Sequence, residues 1–129
     1  MRIYLDTAPV IYAVEQVRDL AVVVDNRLNT PDAVLVASDL TRMECRVKPL
    51  KDGNTELLAD YDDFFEGAVA EIVTLSRSVM DRATEIRARY SYKTPDAIHL
   101  AAALEAGCDV FLTSDHALDR FEGIAVEVV

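Results

Sequence analysis

Tryptophan is absent from these 129 residues, and cysteine and histidine occur only twice each. Cys45 and Cys108 stand far apart and share no Cys-x-x-Cys spacing, which excludes a zinc ribbon or a dithiol redox motif. They are expected to be buried free thiols, since a domain of this size needs no disulfide to fold. His99 and His116 have no second His or Cys at ligand spacing, so a zinc site built from them is not expected and neither is given a role. Glycine and proline number four each, too few for a low-complexity or loop-dominated chain. No apolar run approaches the ~18 residues of a membrane helix. Asp6 interrupts the first apolar stretch, so no secretory leader is expected and the protein should be soluble and cytoplasmic.

Positive charge is also scarce. Thirteen Lys and Arg face twenty-three Asp and Glu, for a net charge of −10. A nucleic-acid binder ordinarily carries a basic footprint, because neutralising phosphates supplies much of its affinity. Here nine of the thirteen cations fall in two stretches, Arg42 to Lys51 and Arg77 to Lys93. Carboxylates clustered around a divalent cation would present less negative charge once loaded.

What is present is a regular alternation. β-type runs occur at Arg2 to Leu5, Ala33 to Ala37, Ala70 to Leu75, Asp109 to Thr113 and, more weakly, Ala125 to Val129. They are apolar throughout, as in parallel strands covered on both faces. Helical patterns separate them, among them Thr55 to Phe65, where Leu57, Leu58, Tyr61, Phe64 and Phe65 mark a core-facing stripe that could also serve as a partner's groove. The expectation is one α/β domain spanning residues 1–129, with a parallel sheet of four to five strands and no repeat or linker.

In open parallel sheets, ligands bind beyond the carboxyl ends of the strands. Asp6 follows the first strand and Asp115 the fourth, so both belong to that edge. Thr94-Pro95-Asp96 opens a helix, with Thr94 expected as its N-cap, and Gly107 ends that helix just before the fourth strand. About twelve helical residues span ~18 Å, close to the ~16 Å of a five-residue strand. Asp96 and Asp115 should therefore meet. Ser38 can cap a helix whose inward stripe is expected to include Leu40, Met43, Val47 and Glu44. A charge on a buried face is costly unless paired or metal-bound. Glu44 lies about 9 Å down this helix, so it reaches the site only if the helix crosses the sheet edge. The competing reading is that Asp6, Asp96 and Asp115 merely cap or favour helix starts. Three acids on one edge and a fourth on an apolar stripe favour a metal site, and an all-oxygen set suits Mg²⁺ or Mn²⁺.

Tyr4-Leu5-Asp6-Thr7, Glu44 after a second strand, Pro95-Asp96-Ala97-Ile98-His99-Leu100-Ala101 and Thr113-Ser114-Asp115 together resemble a PIN domain, in particular the VapC-type toxins of toxin–antitoxin pairs. The resemblance covers essentially the whole chain. It implies a three-layer α/β/α sandwich around a parallel sheet and Mg²⁺- or Mn²⁺-dependent endoribonuclease activity. Asp6, Glu44, Asp96 and Asp115 match the family's acidic cluster and Thr113 its hydroxyl position. Asp119 matches either an outer acid or a solvated surface charge. The resemblance further implies an RNA substrate, a small antitoxin partner and a homodimer. The rival is a PIN-like module without catalysis, acting only through protein contacts. A receiver- or phosphatase-type domain is excluded: Thr7-Ala8-Pro9 follows Asp6, and no Lys lies after Lys93.

Overall fold

Parallel strands need crossover connections, and the chain supplies a helix or a helix pair between most of its strands. The computed structural model describes all residues 1–129. Strand β1 (Arg2–Leu5) leads into helices α1 (Thr7–Val14) and α2 (Arg18–Leu28), then β2 (Val34–Ser38). Helices α3 (Asp39–Lys51) and α4 (Thr55–Gly67) follow, then β3 (Glu71–Val73), α5 (Arg77–Tyr90) and α6 (Thr94–Glu105). After β4 (Val110–Thr113), a short 3-10 helix (His116–Arg120) precedes β5 (Ala125–Val128). The five strands form one sheet in the order β3-β2-β1-β4-β5, and every pairing is parallel.

The period of two along β1 sorts its side chains between two cores. Ile3 and Leu5 pack with Val10, Cys45, Tyr61 and Phe65, which come from α1, α3 and α4. Tyr4 points the other way and packs with Phe111 and with the α5 and α6 residues Val79, Ile86 and Leu100. Helices thus cover both faces of the sheet, giving the three-layer α/β/α sandwich. No helix is long and apolar enough to cross a membrane.

Strand order reverses between β1 and β4. The chain winds outward from β1 through β2 to β3, then returns to the far side of β1 for β4 and β5. Beyond the carboxyl ends of β1 and β4 the diverging connections leave the crevice where this architecture places its ligands.

Helix α3 departs from its expected face. Its buried residues are Leu40, Thr41, Cys45 and Pro49, while Met43 and Val47 are 56% and 54% exposed. Thr41, Cys45 and Pro49 recur every fourth residue, so a row of small side chains faces inward and lets the helix approach the sheet closely. Leu40 belongs to the α5–α6 core and Cys45 to the opposite one. The helix therefore crosses the sheet edge from one layer to the other. On α4 the core reading holds for Tyr61 and Phe65, which lie buried, while Leu57, Leu58 and Phe64 stay partly exposed.

Candidate active site

Asp6 directly ends β1 and N-caps α1, its Oδ1 accepting the Thr7 backbone N–H at 2.8 Å. Its Oδ2 accepts the hydroxyl of Thr113 at 2.7 Å. Thr113 is the last residue of β4 and fully buried, and its Oγ1 also accepts the Asp115 N–H at 3.1 Å. One hydroxyl thus ties the ends of β1 and β4 together across the switch point. Asp115 caps the 3-10 helix through Oδ1, which accepts from the Ala117 N–H at 2.9 Å, and its side chain is exposed.

Asp96 lies in the first turn of α6, although not as expected in detail. Lys93 is the N-cap and makes no side-chain capping bond; Thr94 is the first helical residue. Pro95 fits there because its missing N–H would find no partner in the first turn in any case. Gly107 takes φ of +65° just past the helix, a left-handed conformation natural to glycine. Burial, and then the negative charges of Asp6 and Asp115, push the Asp96 carboxyl above its ordinary value. Asp6, Asp96 and Asp115 are within electrostatic reach of one another, as the matched lengths of α6 and β4 require.

Glu44 joins them because α3 crosses the edge. Its Oε1 accepts the Thr7 hydroxyl at 2.6 Å and the His99 Nε2–H at 2.7 Å. Those bonds, His99's first, hold its carboxyl below the usual range against the opposing effect of burial. His99 Nε2 also lies 3.5 Å from Asp6 Oδ1, so a single imidazole bridges two of the acids. Sequence reasoning gave His99 no role. The available signal was a lone polar side chain in the apolar run Ala97 to Ala103, all of which is buried. Asp119 lies on the 3-10 helix with an exposed side chain and no hydrogen bond to the cluster, which suits the surface-charge reading.

No three Asp, Glu, His or Cys side chains stand close enough to enclose an ion as they are arranged here. Mutual repulsion among unneutralised carboxylates favours such spacing. Even so, each carboxylate oxygen has two lone pairs, so the bonds to Thr7, Thr113 and Ala117 leave acceptor capacity at Asp6 and Asp115. The acids stand along the carboxyl edge of the sheet, and none of them lines a surface cavity. The cavities of the surface lie elsewhere, including one of about 340 Å³ lined by Arg82, Arg89, Tyr90 and Phe121.

The two basic stretches behave differently. Arg42 and Arg46 pair with Asp62 at 3.8 and 2.8 Å, and Lys48 pairs with Asp52 at 3.0 Å. In the second stretch Arg82 pairs with Glu105, whereas Arg87, Arg89 and Lys93 are exposed and make no ion pair. Arg87 and Arg89 lie in the last turn of α5, and Lys93 is the N-cap of α6, three residues before Asp96.

A family model described as PIN domain matches residues 3–124. The chain belongs to the PIN-domain family. Solved structures with this PIN fold agree with that assignment over nearly the full length. VapBC2 from Rickettsia felis, bound to a DNA fragment from its promoter, superposes with a TM-score of 0.79 at 16% identity, covering 99% of this chain and 98% of that one. DNA-bound VapBC from Salmonella typhimurium also gives 0.79, at 20% identity and coverage of 99% and 98%. VapC20 of Mycobacterium tuberculosis, described as a sarcin–ricin-loop-cleaving toxin, gives 0.69 at 14% identity, covering 94% and 90%. A search of curated proteins finds no match.

Proposed function

We propose that this PIN domain is a Mg²⁺- or Mn²⁺-dependent endoribonuclease and the toxin of a VapBC-type toxin–antitoxin pair. One observation carries the reading: Asp6, Glu44, Asp96 and Asp115 lie together with Thr113 at the switch-point edge of the sheet, and Asp96 binds a proton more readily because of burial and of Asp6 and Asp115. Carboxylates that draw a proton onto one another also favour a divalent cation in its place. The donors are all oxygens, as a hard cation requires, and the lone imidazole nearby is occupied by Glu44. Asp6, Asp96 and Asp115, with Glu44, would hold the ion. When bound, it supplies Lewis-acid polarisation of a phosphodiester oxygen and acidification of water.

The chain's own residues supply the rest. Thr113 orients Asp6 and fixes the spacing of β1 and β4. Thr7 and His99 hold Glu44. Arg87, Arg89 and Lys93 offer unpaired cations to a phosphate backbone approaching Asp96, which offsets the net charge where it matters. The antitoxin proposal draws on the VapBC complexes among the structural neighbours. It also draws on the exposed row Met43, Val47 and Leu50 on α3, the helix that carries Glu44. An amphipathic helix of a partner would cover that row and place a cation near the acids. A homodimer is proposed too, with Val22 and Val23, 62% and 51% exposed on α2, as apolar surface for a second copy.

The test is RNA cleavage by the purified chain with Mg²⁺ or Mn²⁺, its loss on chelation, and its loss in folded Asp6→Asn and Asp96→Asn. Undiminished cleavage by either variant removes the assignment. The net charge of −10 and the spacing of the acids, too wide to enclose an ion as they stand, favour a non-catalytic module instead. Absence of both Mn²⁺ binding and cleavage in wild type would establish that reading.

A further inference from the structure

We propose that His99 is a positioning residue for Glu44, acting through a buried hydrogen-bonded chain anchored on Tyr4. The inference rests on the metal-nuclease reading and adds to it a residue that touches neither substrate nor ion. A carboxylate can only accept, so the 2.7 Å contact requires the proton on Nε2 to face Glu44 Oε1. Thr7 donates to the same oxygen, and no protein donor reaches Oε2. The free oxygen is thereby left as the one available for an external cation.

The ring cannot turn away. Its Nδ1 lies 2.7 Å from Tyr4 Oη, which lies in turn 2.8 Å from Ser38 Oγ and 3.3 Å from Thr41 Oγ1. Tyr4, Ser38 and Thr41 are fully buried and His99 is 2% exposed, so water cannot replace any link. Tyr4 is further held by stacking on Phe111, with ring centroids 5.3 Å apart and planes at 7°. Thr41 Oγ1 donates to the Leu5 carbonyl at 3.2 Å, which fastens the chain to the end of β1, one residue before Asp6. His99 Nε2 also stands 3.5 Å from Asp6 Oδ1, so its N–H places a positive dipole end between two like charges. Glu44 sits about a turn and a half down a helix that crosses the sheet edge. Of the four acids it is the one not delivered by a strand end or a helix start, and it is the one given this support.

A buried histidine satisfied for stability alone would show none of this in metal binding. The test compares His99→Leu and His99→Gln in the full chain, after circular dichroism confirms folding. Mn²⁺ affinity is read by electron paramagnetic resonance and RNA cleavage at saturating Mn²⁺. Glutamine keeps an N–H donor near the position of Nε2; leucine keeps only bulk. The expected result is an affinity about 10- to 100-fold weaker in His99→Leu, with most of the loss recovered in His99→Gln. A folded His99→Leu that binds Mn²⁺ like wild type overturns the proposal, as does a folded His99→Gln no better than leucine. Should leucine not fold, His99→Asn, whose shorter amide does not reach Glu44, takes its place: an affinity about tenfold or more below that of His99→Gln supports the role, and any smaller difference overturns it. Wild type that neither binds Mn²⁺ nor cleaves RNA is a different failure, which removes the nuclease reading itself.

Discussion

Replacing Tyr4 by Phe removes one buried oxygen and leaves almost every packing contact in place, including the stack on Phe111. The lost hydroxyl has short bonds to His99 Nδ1 at 2.7 Å and Ser38 Oγ at 2.8 Å, and a longer one to Thr41 at 3.3 Å. Each short bond contributes about 1 kcal/mol net, and a buried acceptor left without a partner costs about 1 to 3 kcal/mol. Ser38 Oγ still accepts the Thr41 N–H and Thr41 Oγ1 the Ser38 N–H, so the orphan is His99 Nδ1. A destabilisation of about 2 to 3 kcal/mol follows. With an unfolding entropy of about 2.1 cal/mol/K per residue, this chain loses about 4 °C of Tm per kcal/mol, hence about 8 to 12 °C. Thermal and urea unfolding followed by circular dichroism measure it, with an unchanged urea m-value as the control. A Tm loss under about 4 °C would mean that the network repacks or admits water, and would refute the claim that these groups have no other partner.

Asp96→Asn should stabilise the protein in the absence of divalent ions while abolishing cleavage. The Asp96 carboxyl is raised in the fold, so wild type loses stability as pH climbs from the ordinary value of 3.8 through the raised one. The Tm difference between variant and wild type should thus be small in acid and positive at neutral pH. A variant less stable at neutral pH would contradict the crowding of Asp6, Asp96 and Asp115. Replacing Arg87, Arg89 and Lys93 together by Gln should weaken binding to single-stranded RNA and reduce the slope of log affinity against log salt by about 2, at ~0.7 per phosphate contact. An unchanged slope would make these residues a solvated helix face. Burial pushes the thiols up, to about 12 for Cys45 and about 11 for Cys108. Both should therefore label slowly with an alkylating reagent at mildly alkaline pH and fast in denaturant; rapid native labelling would show an opening that the packing does not predict.

The sheet edge was readable because strand and helix alternate so regularly that a residue's place in the order fixes its end of the sheet. Asp6 and Asp115 needed nothing more, Asp96 needed only the matched lengths of α6 and β4, and Thr113 came only with the family resemblance. Glu44 could not be placed that way, because its position depends on how α3 lies, and the apolar pattern of α3 misleads. Met43 and Val47 look like part of a core stripe and are exposed, as is Leu50 beyond them, while the smaller Thr41, Cys45 and Pro49 face inward. Large side chains would have held the helix off the sheet. The small ones let Thr41 reach the Leu5 carbonyl, and that close approach brings Glu44 within reach of Thr7 and His99. The exposed row is then the cost of that geometry, unless a partner covers it. The buried polar chain was hidden for a related reason. Tyr4, Ser38, Thr41 and His99 come from four different elements, and apart from the Ser38–Thr41 capping pair no local spacing links them, Tyr4 and His99 being 95 residues apart. Each alone reads as an unremarkable core or cap residue. What could have joined them is the requirement that a buried polar group find a partner: His99 in an alanine-rich helix and Tyr4 in an apolar strand each lacked one locally. Both lie near the carboxyl edge, so each was the nearest candidate for the other.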